Sequence, residues 1–345
     1  MKHRWSTTLF GIVILSSLSG CADHSQPLEQ PLAASPVNSG SLGVGSEQAD
    51  GESSVMVNDR LNRKVRITNV PQRIISLSPS TTELLFAIGA GSQVVGATQH
   101  CNYPREAATL PRVGGGTLES LSREKIVDME PDLVVCKWDN HEPLIDMLER
   151  FDIPVLAFGP ETLDELYKEA LVLGRVTRCE AGAGELVAEM RRRVDSMTAL
   201  VGSIPAENRR TVFYEVWDEP LMSAGPNSFI GELLQLAGLR NIFSDTVIRY
   251  PKVSAEVVVA RNPDVILSPT THATTVSREK ILKRQGWNDV TAVREEQVFL
   301  IDGDQVSRCG PRLVDALEDI IRLVYAESYE ARIHDVPSVM EDAIR

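Results

Sequence analysis

The sequence lacks the short motifs that mark most catalytic and metal centres. It contains no nucleophile elbow, no His-Glu-x-x-His motif and no closely spaced Cys/His ligand set. These absences argue against hydrolytic and zinc-dependent chemistry. Basic residues are also in the minority, since the formal net charge is −13, whereas nucleic-acid binding domains carry a basic stripe. The sequence therefore favours a binding protein over an enzyme, with no nucleic-acid partner.

Cysteines and long apolar runs are scarce as well. Apart from Cys21, the cysteines are Cys101, Cys136, Cys179 and Cys309, and four thiols allow three pairings. A chain of this length builds its cores without such cross-links, so we expect free thiols. No segment after residue 20 has the run of about 17–25 apolar residues that a membrane-spanning helix needs.

The first 20 residues have the pattern of an export signal. Lys2 and Arg4 precede an apolar stretch at 9–18, and the tetrapeptide LSGC follows and ends at Cys21. That tetrapeptide resembles a bacterial lipobox, which implies cleavage before Cys21 and lipidation of its thiol. An ordinary secretory signal is the alternative. We predict a membrane-anchored lipoprotein in the periplasm or at the cell surface, with a formal charge of −15 after the two bases of the signal are lost.

The segments on either side of the predicted folded region are polar. Residues 21–53 are rich in Ser, Gly, Pro and Gln, and such a composition buries too little apolar surface to offset its ordering entropy. We therefore predict a disordered linker there. A β-hairpin is expected next, because apolar residues at 55–57 and 64–67 flank a turn sequence. Residues 328–345 form a polar tail to which we assign no element.

One helix–turn–strand unit occurs twice. SREKIVDMEPDLVV at 122–135 matches SAEVVVARNPDVIL at 254–267, an offset of 132 residues. Each copy begins with a Ser able to cap a helix and has a Glu, Glu124 or Glu256, in the first helical turn. Pro-Asp ends the helix and a short apolar run predicts a buried strand. The long offset indicates two similar lobes rather than a solenoid, whose period is about 20–50 residues.

A long amphipathic helix is predicted between the two copies. Apolar residues in 180–201 follow the i, i+3, i+4, i+7 spacing of a helix with one buried face. We therefore predict an N-terminal lobe at 54–179, an interlobe helix at 180–203 and a C-terminal lobe at 204–327.

The first lobe opens with a strand that leads into a hydroxyl-rich helix start. Arg73 begins an apolar run, and Ser80 and Glu83 have the spacing of a capping box. Ser78 and Ser80 thus fall just beyond the carboxyl end of a strand, where open α/β sheets bind ligands. A well-capped structural helix is the alternative interpretation.

Several motifs, in order, resemble the class III periplasmic binding proteins, the substrate-binding subunits of ABC importers for cobalamin, haem and ferric siderophores. The motifs are the run at 73–96, the tripeptide NYP at 102–104, the repeated unit and RCGPR at 308–312. The resemblance covers residues 55–326 and is strongest for the cobalamin-binding members. It implies an α/β fold of two Rossmann-like lobes joined by a single long α-helix, with the ligand held between the lobes and no enzymatic activity.

The same resemblance gives the paired glutamates a role. In cobalamin importers a surface Glu on each lobe docks onto arginines of the membrane permease, and Glu124 and Glu256 match those positions. The alternative is helix-dipole complementarity alone, which contributes about 0.3–1 kcal/mol per residue. The expected partners are thus a corrinoid ligand, the permease subunits and the membrane through the lipid anchor, and we expect a monomer.

A flat macrocycle calls for aromatic faces with a few polar groups at its edges. Four aromatic residues lie in loops after or between predicted strands, and Arg308 adds a charged group. The predicted lining residues are Ser78, Ser80, Tyr103, Trp138, Trp217, Tyr250 and Arg308.

The ligand has alternatives within the same family, namely haem and ferric siderophores. Cobalamin binders often carry a Trp where this chain has GGGT at 114–117, and a further aromatic near Gln305. Haem needs an axial ligand, for which the candidates are His100, Tyr103, Tyr250 and His272. We predict no cofactor and no resident metal, because cobalamin would be the transported cargo.

Overall fold

Two α/β lobes follow one another along the chain and belong to one compact unit. The computed structural model describes residues 54–139, 142–270 and 276–335, together with the backbone of Val44–Gly45. Cys21 and His272 lie outside these ranges, as does nearly all of the linker predicted at 21–53.

The N-terminal lobe contains a parallel sheet with an antiparallel sheet beside it. Its strands are β1 (Val44–Gly45), β2 (Val55–Asn58), β3 (Lys64–Ile67), β4 (Ile74–Ser76), β5 (Val94–Ala97), β6 (Leu133–Lys137) and β7 (Val155–Phe158). Its helices are α1 (Pro79–Ala87), α2 (Arg123–Asp128), α3 (Glu142–Glu149) and α4 (Leu163–Thr177). The parallel sheet has the order β5-β4-β6-β7. Strands β2 and β3 pair antiparallel, which confirms the predicted hairpin.

A single long helix, α5 (Glu180–Gly202), connects the lobes. Its 23 residues correspond to a rod of about 34 Å. Val187, Met190 and Val194 are buried along one face, as the helical spacing predicts. The helix contacts α4 on one side and helices of the C-terminal lobe on the other, so it is the common support of both lobes.

The C-terminal lobe repeats the strand order of the first. Its strands are β8 (Thr211–Asp218), β9 (Leu221–Ser223), β10 (Arg240–Asn241), β11 (Val265–Thr270) and β12 (Val298–Asp302). Its helices are α6 (Phe229–Leu236), α7 (Ala255–Arg261), α8 (Arg278–Leu282), α9 (Thr291–Arg294), α10 (Gly303–Ser307), α11 (Leu313–Val324) and α12 (Ala326–Asp335). Four strands are parallel in the order β10-β8-β11-β12, and β9 pairs antiparallel with β8. If the parallel strands of each lobe are numbered by their order along the chain, both sheets have the spatial order 2-1-3-4. Helix α12 lies partly in the stretch to which the sequence assigned no element.

The repeated sequence unit has the same local role in each lobe. Asp132 accepts hydrogen bonds from the backbone N–H groups of Gln72 and Arg73, at 2.7 and 2.9 Å. Asp264 accepts from the N–H and the hydroxyl of Thr211, both at 2.7 Å. Each aspartate thus binds the start of the strand that pairs with its own. The Pro-Asp turn fixes the register between the two central strands of each sheet.

Apolar packing joins the lobes through α5. One cluster of buried residues includes Ile74 of the N-terminal sheet, Val187 of α5 and Tyr214 of the C-terminal sheet. Each sheet has a second, local cluster on its other face. In the C-terminal lobe this cluster centres on Phe213 and the fully buried Trp287, whose rings meet edge to face with centroids 5.9 Å apart. Both sheets are therefore covered on two faces, as parallel sheets require.

Candidate functional site

The start of α1 lies at the junction between the lobes. Ser78 is the N-cap residue, and its Oγ lies 2.9 Å from Oγ of Ser80 rather than accepting from a backbone N–H group. The predicted capping box is therefore wrong, because Pro79 starts the helix two residues earlier. A Cβ atom added to Gly310 of the C-terminal lobe would lie 3.6 Å from Cα of Ser80, so the two lobes approach closely here.

Glu83 crosses the junction instead of capping its helix. Its carboxylate is only 3% exposed and accepts hydrogen bonds from Nε and Nη2 of Arg312 at 2.8 and 2.7 Å. Nη1 of Arg308 donates to the same carboxylate at 3.1 Å and to Asn102 at 2.8 Å. Arg308 also pairs with Asp304. The predicted ligand contact Arg308 is thus held in an ionic cluster between the lobes, which we call the Glu83 cluster (Glu83, Asn102, Asp304, Arg308 and Arg312).

Tyr103 lies against this cluster with much of its ring open to solvent. The guanidinium of Arg312 lies 4.0 Å from the ring centroid, and 46% of the residue is exposed. A cation over one ring face attracts the ring and favours this orientation. Tyr103 is therefore positioned as a flat wall beside the lobe junction. His100, on the same loop, is half-buried next to the glycine run, where a Cβ on Gly116 would lie 3.0 Å from its ring.

A second ionic cluster crosses the junction at the end of β7. Glu161 accepts from Arg60 of the N-terminal lobe at 2.7 Å and from Arg249 of the C-terminal lobe in a bidentate contact. Arg60 also pairs with Glu165 at 2.6 Å. We call these four residues the Glu161 cluster. Hydrogen bonding to Glu161 raises the pKa of Arg249, so this guanidinium stays charged.

Two of the predicted aromatic residues accompany the Glu161 cluster. The Trp138 ring is half-buried, with the guanidinium of Arg60 5.8 Å from its centroid. Tyr250 directly follows Arg249, and burial raises the pKa of its phenol above the usual range, which keeps that oxygen neutral. Trp217 is placed differently. Its Nε1 donates to the carbonyl of Glu219 at 2.8 Å, and among the described residues it has neither a hydrogen bond nor a ring contact with the N-terminal lobe.

Glu169 lies near this junction and has no ion-pair partner among the described residues. The N–H group of Gly159 donates to its Oε1 at 2.8 Å, and its Oε2 is buried without a hydrogen-bond partner. Burial raises the pKa of Glu169 to about 8. Burial also raises the pKa of the Cys309 thiol, with Glu169 adding to the effect. Both groups are therefore uncharged at neutral pH.

The repeated glutamates occupy matching, exposed positions in the two lobes. Glu124 lies in the first turn of α2 behind the N-cap residue Ser122, and Glu256 in the first turn of α7 behind Ser254. Hydrogen bonds from its own backbone N–H and from Ser254 lower the pKa of Glu256. Both side chains are thus accessible at the same point of the same topology.

Cys101, Cys136, Cys179 and Cys309 are free thiols, as expected. The described ranges hold no cluster of His, Cys, Asp and Glu suited to a metal ion. Nor do they hold a helix long and apolar enough to cross a bilayer.

The structure also contains junction residues that the sequence did not reveal. Glu83, Arg312, Glu161 and Arg249 carry the ionic contacts between the lobes, yet none was predicted to have that role. The motif at 308–312 was a partial signal, since it contains Arg312. The structure brings Ser78, Ser80, Tyr103 and Arg308 together at the Glu83 cluster.

Comparison with known proteins places this architecture in a family. The pattern of a family described as "Periplasmic binding protein" matches residues 74–305. YvrC, named an uncharacterized ABC transporter substrate-binding lipoprotein of Bacillus subtilis, is 29% identical over 281 residues, which cover 80% of this chain and 87% of that protein.

Two solved structures share the fold at similar levels of identity. The periplasmic vitamin B12 binding protein BtuF of Vibrio cholerae has a TM-score of 0.62 and 26% identity, covering 74% of this chain and 98% of that one. The periplasmic heme-binding protein RhuT from Roseiflexus sp. RS-1 has a TM-score of 0.66 and 25% identity, covering 74% and 99%.

These matches agree with two lobes of one topology on a single helix, and they extend over both lobes. They confirm the expectation of a solute-binding protein rather than an enzyme. The chain belongs to the periplasmic binding protein family and is a substrate-binding protein of an ABC transporter.

Proposed function

We propose that this protein captures cobalamin or a related corrinoid between its lobes and delivers it to the permease of an ABC importer. The observation that carries the proposal is the charge balance at the lobe junction. Four arginines lie there, and each is paired with a carboxylate: Arg60 and Arg249 with Glu161, and Arg308 and Arg312 with Glu83.

Paired arginines suit a ligand whose edge is neutral. Corrinoids have amide groups around the ring, whereas haem has propionate carboxylates and many siderophore complexes are anionic. In each cluster two arginines face two carboxylates, so no positive charge is left over to attract a further carboxylate. Amides instead bind the outer edges of such pairs by hydrogen bonds without separating them. The exposed face of Tyr103 adds a flat apolar surface.

Isothermal titration with cyanocobalamin, cobinamide and haemin tests the ligand. We expect sub-micromolar affinity for both corrinoids and much weaker binding of haemin. Tyr103→Ala should weaken corrinoid binding by about 1–3 kcal/mol, the value of burying one aromatic face. Phe151→Ala is the matched control, because Phe151 is also an exposed aromatic residue (58%) but precedes β7 at the end away from the junction. Haemin binding with a Soret band, and no corrinoid binding, would overturn the proposal.

Haem is the second candidate because Tyr103 offers an exposed phenol beside the junction. A tyrosinate is one of the known axial ligands of haem iron. If haem is the cargo, Tyr103→Phe removes the axial oxygen, so haemin binding should lose its charge-transfer band. The same substitution should leave corrinoid affinity nearly unchanged, since the ring is retained.

The glutamates of the repeated unit are the proposed docking points for the permease. Both are exposed and equivalent by topology. We expect Glu124→Ala with Glu256→Ala to abolish uptake while ligand affinity stays unchanged. Glu279→Ala is the matched control, because Glu279 is also an exposed first-turn glutamate two residues after its N-cap Ser277. Normal uptake by the double variant would exclude the docking role.

Membrane anchoring through Cys21 completes the proposal. The lipobox-like LSGC sequence supports it, as does the likeness to YvrC, which is named a lipoprotein. Cys21→Ala should move the protein from the membrane fraction to the soluble fraction and abolish labelling by a clickable fatty acid. Labelling that persists in this variant would contradict the anchor.

A further inference from the structure

Trp138 lies at the point where the strand order of the N-terminal sheet reverses. In the order β5-β4-β6-β7, the chain passes from β4 to β5 on one side and then to β6 on the other. Open α/β sheets bind ligands at such a switch point, beyond the carboxyl ends of the strands. Ser78 follows β4 and Trp138 follows β6, and the two strands pair in parallel. Trp138 therefore lies at the same edge of the sheet as Ser78, a predicted lining residue.

Gly159 packs against the Trp138 ring. The N–H of Trp138 donates to the carbonyl of Phe158 at 2.7 Å, which continues the pairing of β6 with β7 and brings Gly159 beside the indole. A Cβ atom added to Gly159 would lie 2.9 Å from Cδ1 and 3.4 Å from Nε1 of this ring. Gly159 also has a φ of +133°, a conformation that strains other residues. A larger residue at this position would therefore displace the ring.

Glu169 of α4 holds the backbone of Gly159. Its Oε1 accepts the N–H of Gly159 at 2.8 Å, and only 1% of the glutamate is exposed. Gly159 is buried as well, so removal of this acceptor would take away the hydrogen bond that a buried donor needs. The carboxyl group of Glu169 thus sets the position of the residue against which the Trp138 ring packs.

Arg60 supplies a second fixed contact for the ring. Its guanidinium lies 5.8 Å from the centroid of Trp138, within the distance of about 6 Å at which a cation attracts an aromatic face. Ion pairs with Glu161 and Glu165, at 2.7 and 2.6 Å, hold this guanidinium, and the Arg60 side chain is only 10% exposed. The ring is therefore attracted to a cation that is itself held in place.

We propose that Gly159 and Glu169 position the Trp138 ring as a flat platform for the macrocyclic cargo. The guanidinium of Arg60 holds the ring on this seat. The inference rests on the proposed function, because it requires a cargo with a flat face. The ring is half-buried, which leaves part of its surface open. A ring that is already held loses little freedom when the cargo stacks on it, so more of the contact energy contributes to affinity.

Isothermal titration with cyanocobalamin and haemin tests the platform. Trp138→Ala should weaken binding of the macrocycle that the protein takes by about ten-fold or more, because it removes one aromatic face. Wild-type affinity in this variant would overturn the inference and leave the corrinoid proposal standing. Binding of haemin alone would overturn the corrinoid proposal, and the variants are then compared with haemin. If the protein binds neither macrocycle, both proposals are wrong.

Substitution of Gly159 tests the positioning. Gly159→Ala should weaken cargo binding about as much as Trp138→Ala, although the ring is still present. Gly89→Ala is the matched control, because Gly89 also has a positive φ, +93°, but a Cβ atom there would meet nothing within 4 Å. The control therefore adds backbone strain without displacing a ring, and it should keep the wild-type affinity. Equal affinities of the two folded variants would overturn the positioning role.

Two substitutions of Glu169 separate its hydrogen bond from its bulk. Glu169→Gln keeps an uncharged oxygen acceptor for the N–H of Gly159 and should keep the wild-type affinity. Glu169→Leu fills a similar space without an acceptor and should weaken cargo binding by about five-fold. Wild-type affinity in folded Glu169→Leu would contradict the role of Glu169.

Tryptophan emission gives a measurement that needs no cargo. The contribution of Trp138 is the difference between the spectra of each protein with and without the added substitution Trp138→Phe. It should move to longer wavelength in Gly159→Ala and Glu169→Leu, because a displaced ring is more exposed to water, and should stay in place in Gly89→Ala and Glu169→Gln. An unchanged Trp138 contribution in both folded Gly159→Ala and Glu169→Leu would overturn the inference whatever the cargo.

Discussion

The ionic contact of Glu83 with two arginines should be among the largest single contributions to the stability of the lobe junction. We predict that Glu83→Gln destabilises the protein by about 3 kcal/mol, at the low end of the 3–5 kcal/mol for breaking a buried ion pair. The low end applies because Arg308 still forms its ion pair with Asp304. The amide of the new Gln side chain also still offers one oxygen as a hydrogen-bond acceptor. Among the described residues, Arg312 would keep only its cation–π contact with the Tyr103 ring. Most of the lost stability is therefore expected at Arg312.

Urea unfolding at neutral pH measures this loss of free energy. The matched control is Glu189→Gln, which removes a carboxylate paired with Arg192 at 2.7 Å on the exposed face of α5. Exposed pairs of this kind contribute about 0.3–0.5 kcal/mol, so Glu189→Gln should barely change the free energy of unfolding. Replacing both Glu83 and Arg312 by Met should recover much of the stability that Glu83→Gln loses. The double replacement also removes the charge of Arg312, which Glu83→Gln leaves unpaired.

Two results would refute this reasoning. A free energy of unfolding for Glu83→Gln within about 0.5 kcal/mol of the wild type would show that the contact acts like a surface pair. An equal loss in Glu189→Gln would show that burial does not distinguish the two pairs.

Three further predictions follow from buried groups. Because the folded-state pKa of Glu169 is raised to about 8, its contribution to stability is full below the ordinary carboxyl pKa and declines as pH rises towards 8. Glu169→Gln should remove that decline of about 1.4 kcal/mol per pH unit in urea unfolding at several pH values, and a parallel decline in the variant would contradict it. Iodoacetamide at pH 8 should label the half-buried Cys179 well before Cys309, whose pKa is raised by burial. Equal alkylation rates for the two thiols would contradict this prediction. Trp287→Ala should lower the free energy of unfolding by about 3–5 kcal/mol. A loss below about 1 kcal/mol would show that neighbouring side chains fill the space and replace its edge-to-face contact with Phe213.

Local sequence patterns predicted most of the secondary structure and the duplication. The unit at 122–135 and 254–267 appears as a capped helix and a buried strand in each lobe, with Ser122 and Ser254 as N-cap residues. The amphipathic pattern at 180–201 appears as α5. These elements depend on residues within a few positions of one another, so one sequence window contains all the necessary information.

Local patterns gave a wrong prediction where a tertiary contact competes with a local one. Ser80 and Glu83 have the spacing of a capping box, but Glu83 binds Arg308 and Arg312 instead. A charge-assisted, bidentate contact is stronger than a hydrogen bond to a single backbone N–H group, so the distant arginines prevail. No window of the sequence contains both partners, because Glu83 and Arg312 are 229 residues apart.

The sequence by itself therefore determined the two-lobed α/β architecture, its connecting helix and the matching positions of Glu124 and Glu256. Only the tertiary structure decided which charges meet at the junction between the lobes. The physical reason is range: capping and amphipathic burial act over one or two helical turns, whereas an ion pair depends on where two separate lobes bring their side chains.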